Sequence, residues 1–218
     1  MQTVHLDFEK APKLYHSLIA ELAAEYTPAG KVLDIGSGGG QILRELHRLR
    51  PELELYAADV QSHGFSKIEH IVSGTFLLSE DSFDISAAGS GYDTIILCHV
   101  LEHLNNPVDA VRKIFDALKP TGRLVVAVPN PVNPANFMKA AFRKYQANQG
   151  HVMTWDRGHW LNFLTNILKA KVIRLDHDEV FLFPRRTPVS SPLKKVEIGL
   201  SKLFPGWSFS NIAVLEKA

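Results

Sequence analysis

The sequence predicts an α/β fold: a doubly wound, mostly parallel sheet with helices on both faces. Three observations carry this. Short apolar runs alternate with helix-spaced stretches along the whole chain. The first apolar run, KVLDI, ends in a glycine-dominated turn, GSGGG, that opens into ILRELHRLR. No apolar run approaches the ~18 residues needed to span a bilayer.

The elements follow in order. PKLYHSLIAELAAEY (12–26) places Leu14, Leu18, Ile19 and Leu22 on one helical face, with Pro12 suited to a first turn. KVLDI (31–35) reads as a buried strand, and GQILRELHRLR (40–50) as a helix stopped by Pro51. LELYAADV (53–60), HIVSGTF (70–76) and YDTIILC (92–98) read as strands, with a polar Gly/Ser-rich stretch before the last. PVDAVRKIFDALK (107–119) is a helix closed by Pro120-Thr121-Gly122, and RLVVAVP (123–129) is a strand. Helical stretches are expected at 135–146 and 157–169, and strands at 171–176 and 179–183. SPLKKVEIGLSKLF (191–204) has amphipathic helical spacing, and NIAVLEK (211–217) reads as a final strand.

Composition narrows the class. The chain has 218 residues, 45% of them hydrophobic and 22% charged, which suits one globular domain over 1–218. The single cysteine, Cys98, excludes an intrachain disulfide and a cysteine-based zinc knuckle. The opening MQTVHLDFEKAPK mixes acids and bases without a signal-peptide core, so a cytoplasmic location is expected. Charge is uneven: residues 1–136 carry 11 Lys and Arg against 17 Asp and Glu, whereas 137–218 carry 13 against 6. That bias suits an anionic partner at the C-terminal part.

The glycine turn invites a nucleotide-like ligand, and spacing sorts the options. A dinucleotide loop would read G-x-G-x-x-G, but Gln41 stands where its third glycine belongs. A triphosphate loop would need a G-K-[ST] step, which is absent. What remains is D-x-G-x-G-x-G: Asp34, Gly36, Gly38 and Gly40. Glycines let a backbone pass close to a ligand, and the helix opening near Gly39 offers unpaired N–H groups to a carboxylate. Asp59, at the end of the next strand, is placed to accept both hydroxyls of a ribose.

This pattern, with YDTIILCHVLEHL (92–104) and KPTGRLVVAVPNP (119–131), resembles the class I S-adenosylmethionine-dependent methyltransferases over roughly residues 12–135. The resemblance implies a seven-stranded Rossmann-like sheet whose last strand, NIAVLEK, runs antiparallel. It implies that Asp34, Gly36, Ser37, Gly38, Gly40 and Gln41 line S-adenosylmethionine, and that Asp59 with Val60 holds the ribose. Cys98 and His99 would lie at a strand tip near the sulfonium. An acid contacting the adenine is expected among Glu80, Asp81 and Asp84, with Asp84-Ile85 favoured. Segments 130–165 and 184–208 are expected to cover the substrate.

His99-Val100-Leu101-Glu102-His103 also spells H-x-x-E-H, the zinc-peptidase signature in inverted order, which belongs in mid-helix of a metalloprotease fold with a third ligand. Here it starts at a strand tip, so zinc hydrolysis is set aside and no metal is expected. Methyl transfer to a hydroxyl calls for a general base, and His103 and His151 are the candidates. Trp155 and Trp160, interleaved with His151 and His159, read as roof or as core. The Asn-Pro pairs of VPNPVNP read as a rigid loop shaping the acceptor pocket.

In 191–204, Leu193, Val196, Leu200, Leu203 and Phe204 oppose Lys194, Lys195 and Lys202, with Arg185 and Arg186 just before. Such a helix can lie on an anionic membrane or a lipid-like substrate, but a stripe of this kind ordinarily faces the core. The expected activity is methyl transfer to O or N of a small, anionic or lipid-like acceptor. Two alternatives stand beside it: a non-catalytic cofactor-binding protein, and a nucleic-acid methyltransferase, which would need a basic track with stacking aromatics.

Overall fold

The computed structural model describes residues 14–79, 82–142, 150–180 and 192–218. Pro12, Glu80, Asp81, Arg185, Arg186 and the expected strand residues 181–183 lie outside the described residues.

Among the described residues, the elements in order are α1 (Leu14–Tyr26), β1 (Lys31–Ile35), α2 (Gln41–Leu49), β2 (Glu54–Asp59), β3 (Gly74–Leu77) and β4 (Tyr92–Cys98). There follow α3 (Pro107–Ala117), β5 (Leu118–Pro129), α4 (Pro134–Phe142), α5 (Arg157–Asn162), β6 (Lys171–His177), α6 (Pro192–Leu203) and β7 (Ser210–Glu216). The seven strands form one sheet in the order β3-β2-β1-β4-β5-β7-β6. Every pairing is parallel except those of β7, which runs antiparallel to both β5 and β6. The doubly wound sheet with an antiparallel last strand is therefore as expected.

Strand parity divides the core. Leu33, Ile35, Ile95, Leu97, Leu124 and Val126 join α3 and the aromatic residues around α5 on one face. Val32, Ile96, Val125, Ala127, Ile212 and Val214 meet α1 and α2 on the other. Both faces of the central strands are covered, so these strands read as continuous apolar runs rather than alternating ones. β1 pairs with β2 on one side and β4 on the other. Strand order therefore reverses between β1 and β4, and ligands of such sheets bind at the carboxyl ends beside that point.

Three elements differ from expectation. β5 begins at Leu118, which pairs with Tyr92, and the register then jumps to Arg123 opposite Thr94. Pro120-Thr121-Gly122 is thus an irregularity inside the strand rather than a turn before it. The helix expected over 157–169 changes after Asn162 into a π-turn, Phe163–Ile167. In α6 the apolar stripe does not face the core: Val196 and Leu203 are exposed, while Glu197 and Ser201 are buried.

Candidate functional site

The site assembles at the carboxyl ends of β1, β2 and β4. Beyond β1, Gly36, Gly38 and Gly40 have φ of 76°, 53° and 73°, a left-handed backbone that disfavours side chains. Gly39, outside the D-x-G-x-G-x-G spacing, does not share it. The helix after the loop starts at Gln41 with Gly40 as its N-cap, one residue later than the sequence suggested. Gly36 and Ser37 donate their N–H groups to the Ala58 carbonyl at 2.8 and 3.2 Å, which anchors the loop to β2.

Asp34 is 1% exposed, and neither carboxylate oxygen has a hydrogen-bond partner among the described residues. Burial, with the Asp59 charge adding, pushes its carboxyl well above the usual carboxylate range. The buried Ser37 hydroxyl is also unpartnered among the described residues. Buried polar groups are nearly always satisfied, so this pair at the mouth of a glycine loop fits a ligand that brings a donor to the carboxylate and an acceptor to the hydroxyl. The ammonium and carboxylate of an amino-acid tail have that chemistry.

Asp59 is only half-buried. Its Oδ2 accepts the Gly38 N–H at 2.7 Å and its Oδ1 accepts the Gln61 N–H at 2.9 Å. Both oxygens keep accepting capacity for a ribose diol. The sequence reading did not foresee that the same carboxylate braces the glycine loop. It also missed Gly64, in the 3-10 turn 62–67 after β2: a Cβ there would stand 1.7 Å from the Gly38 carbonyl oxygen. Two backbones touch at that point. Val60 is exposed beside Asp59. Asp84 is exposed and accepts the Ser86 N–H at 2.9 Å, which holds its carboxyl below the usual range, while Ile85 joins the core.

Cys98 ends β4, partly buried. His99 follows with φ 56°, and its ring turns toward Ser210 (Nε2 to Oγ 3.0 Å) and Glu102 (Nδ1 to Oε1 3.5 Å). The rings of Tyr15 and Phe209 lie 4.9 and 5.7 Å from it. Residues 101–103 form a single 3-10 turn, so His99 and His103 do not share a helix face and the peptidase geometry is absent.

The turn instead brings His103 to His151, with ring centroids 4.8 Å apart. His103 Nδ1 lies 2.8 Å from the Gly150 carbonyl. A carbonyl only accepts, so Nδ1 carries the proton and Nε2 offers a lone pair. Burial holds the His151 imidazole below its ordinary value, against the pull of Glu102. Glu102 is 1% exposed, its Oε2 unpartnered among the described residues. The backbone N–H groups of Val152 and Met153 donate to the Glu102 carbonyl at 2.8 and 3.2 Å. The two candidate bases therefore meet, on a segment fastened to the turn after β4.

Trp155 and Trp160 are core: both are buried and cluster with Phe163. The asparagines of VPNPVNP have a use the sequence did not reveal. Asn130 Nδ2 donates to the Gly206 and Ser208 carbonyls and Asn133 Nδ2 to that of Trp207. The loop after β5 is thereby stitched to the turn after α6.

A family model described as a methyltransferase domain matches residues 8–166. The chain is 28% identical over 101 residues to the mitochondrial ubiquinone biosynthesis O-methyltransferase of Schizosaccharomyces pombe, covering 44% of this chain and 37% of that protein. It is 28% identical over 151 residues to the ubiquinone biosynthesis O-methyltransferase of Ruegeria pomeroyi, covering 66% and 58%. The Thermotoga maritima demethylmenaquinone methyltransferase is 27% identical over 128 residues, covering 58% and 55%. These alignments span roughly a third to three-fifths of the relatives' length. Among solved structures, a SAM-dependent methyltransferase from Archaeoglobus fulgidus superposes with a TM-score of 0.63 at 16% identity, covering 94% of this chain and 93% of that one. The plantazolicin methyltransferase BpumL in complex with SAH gives 0.58 at 16% identity, covering 93% and 82%.

Proposed function

From the premise that this chain belongs to the methyltransferase domain family, we propose that it uses S-adenosylmethionine to methylate an oxygen of a small acceptor. The observation that carries the proposal is the meeting of Glu102, His103 and His151 at the turn after β4, beside the glycine loop. Val100 of the same turn packs against Gly36, where a Cβ would stand 2.2 Å from its Cγ2, so cofactor loop and cluster adjoin.

When bound, the cofactor supplies an electrophilic methyl group on a sulfonium, with a thioether that leaves without assistance. The chain's part is to align the acceptor and to manage its proton. Asp34 offers acceptors to the ammonium and Ser37 a hydroxyl donor to the carboxylate of the cofactor's amino-acid end, and Asp59 offers acceptors to the ribose. The cluster handles the hydroxyl proton of the acceptor, a task an imidazole is suited to at neutral pH.

Among the described residues, the loop after β5 is joined to the turn after α6 through Asn130 and Asn133, and we take these parts as the roof over the acceptor. Its described outer residues include Phe137, Met138, Phe142, Leu203, Phe204 and Trp207, all exposed. That surface suits an acceptor with an apolar tail, and the names of the relatives point the same way. On α6, exposed Val196 and Leu203 alongside Lys195 and Lys202 suit contact with an anionic lipid surface. No helix among the described residues is long and apolar enough to cross a membrane.

Calorimetric titration with S-adenosylmethionine tests the cofactor half, with Asp59→Ala as control; no heat at millimolar cofactor would sink it. Transfer of labelled methyl to a panel of phenols and hydroxy-acids, with and without prenyl tails, tests the acceptor half. Label found only on amines would overturn the assignment to oxygen.

A further inference from the structure

Glu102, His103 and His151 each present one ligand atom, and these atoms lie within 4.8 Å of one another. We propose that they form a site for a divalent ion of the Zn2+ type, held by two imidazoles and one carboxylate. The ion deepens the methyl-transfer reading, and its role there rests on it: an open coordination position receives the acceptor oxygen and acidifies its hydroxyl, so that with the imidazoles committed to the ion the proton passes to solvent rather than to a histidine.

The donor set supports this. Two nitrogens and one oxygen suit a borderline divalent ion rather than Mg2+ or Ca2+, and three protein ligands leave a position for an exogenous oxygen. Glu102 is buried with Oε2 unpartnered among the described residues, an arrangement that costs free energy unless something completes it. Its other oxygen, Oε1, lies 3.9 Å from His103 Nε2.

Metal-bound histidines ordinarily donate the remaining ring N–H to a carbonyl or carboxylate. His103 already does so, from Nδ1 to Gly150 at 2.8 Å, which leaves Nε2 for the ion. The bonds from Val152 and Met153 to the Glu102 carbonyl fix the segment that carries His151. His99, 3.5 Å from Glu102 Oε1, orients the carboxylate from the other side. Metal bonds of about 2 Å place ligand atoms closer together than they stand here. The exposed His103 ring and the half-buried His151 ring have room to close that gap. Exposure on the histidine side leaves the ion open to an acceptor.

The test uses the purified protein, stripped with chelator. Zn2+ is titrated by calorimetry, and Co2+ is followed by its visible absorption. One equivalent per chain is expected, with a Co2+ spectrum showing nitrogen and oxygen ligation. Glu102→Gln and His151→Ala are each expected to weaken the ion at least about 10- to 100-fold, with cofactor affinity unchanged. Wild-type protein that takes up no stoichiometric ion, or variants that both keep its affinity, overturn the proposal. His151 lies on a loop, so its variant decides the matter should Glu102→Gln fail to fold. Ion uptake at this cluster without cofactor binding would sustain the ion site and strike the methyl-transfer reading; cofactor binding without ion uptake would strike the ion site alone.

Discussion

The Asp59 carboxylate accepts the backbone N–H of Gly38 at 2.7 Å, so the acid at the end of β2 holds the glycine loop beyond β1. One side chain thus shapes the loop and, on the proposed function, also serves the ligand. Asp59→Asn removes the charge and leaves one carbonyl oxygen where Asp59 serves both Gly38 and Gln61, so one of the two N–H groups loses its acceptor. Hydrogen bonds to charged groups contribute about 1.5–3 kcal/mol, so cofactor affinity should fall about 10- to 100-fold, with a modest drop in Tm from the lost loop contact. Calorimetry with S-adenosylhomocysteine reads this, and an unchanged Kd would place the ribose elsewhere.

Gly64→Ala should act on the same loop from the opposite side. The added Cβ would meet the Gly38 carbonyl oxygen at 1.7 Å, and backbone yields poorly. Overpacking of this kind costs about 1–3 kcal/mol, which lowers the Tm of a chain this size by several degrees. Cofactor affinity should drop with it. A Tm within a degree of wild type would show that the 62–67 turn swings clear without cost.

Asp34→Asn should separate stability from binding. The Asp34 carboxyl is held above its ordinary value by burial and by Asp59, so the ligand-free fold is stabilised at low pH and loses that stability as pH rises through the raised value. The neutral amide escapes this loss. The ligand-free variant should melt above wild type, by a margin that widens as pH rises above the ordinary carboxylate range, while stabilisation by cofactor is lost. Thermal melts with and without S-adenosylhomocysteine give both numbers. A variant less stable than wild type at alkaline pH would contradict the burial argument.

Asp178→Asn offers a second titration, at the base of β7. Asp178 accepts the Ser210 N–H at 2.7 Å through Oδ1, its Oδ2 is unpartnered among the described residues, and burial pushes its carboxyl up to about 7. Between the ordinary carboxylate value and about 7, the folded state holds a proton that the unfolded state releases. Wild-type stability therefore declines across that window and levels off above it. Asn keeps the bond to Ser210 without the charge. The Tm gain should grow from about pH 4 to about pH 7 and then stay flat, with a plateau on the order of a few kcal/mol. A gain independent of pH would assign the effect to packing.

What was legible in the sequence was local. Asp34 and the glycines lie within seven residues, and the φ values of Gly36, Gly38 and Gly40 reproduce the spacing of the motif. The strands came out because apolar runs bounded by glycine and proline are short-range signals, as β4 shows in full. The histidine cluster was legible only in part. His103 and His151 were named as bases, but Glu102 stood inside a motif that suggested the wrong fold, and nothing in the sequence ties residue 102 to residue 150. Ser210 meets His99 across 111 positions and left no trace. In α6, periodicity registers where apolar residues fall, not that Glu197 is taken inward.

The placement of β7 sets an order of assembly. Among the described residues it is the last strand in sequence, yet it sits between β5 and β6, and β6 pairs with no other strand. β6 must therefore wait some thirty residues of synthesis for its partner, and β5 keeps one edge unsatisfied for longer still. Contacts this remote in sequence form slowly, and unpaired edges invite misassociation meanwhile. Ser210 on β7 holds His99, and Asn211 donates to the Trp155 carbonyl at 2.9 Å. Docking of that one strand is then the step after which the nascent chain has both a closed sheet and a set histidine, so maturation of the fold and readiness for chemistry arrive together.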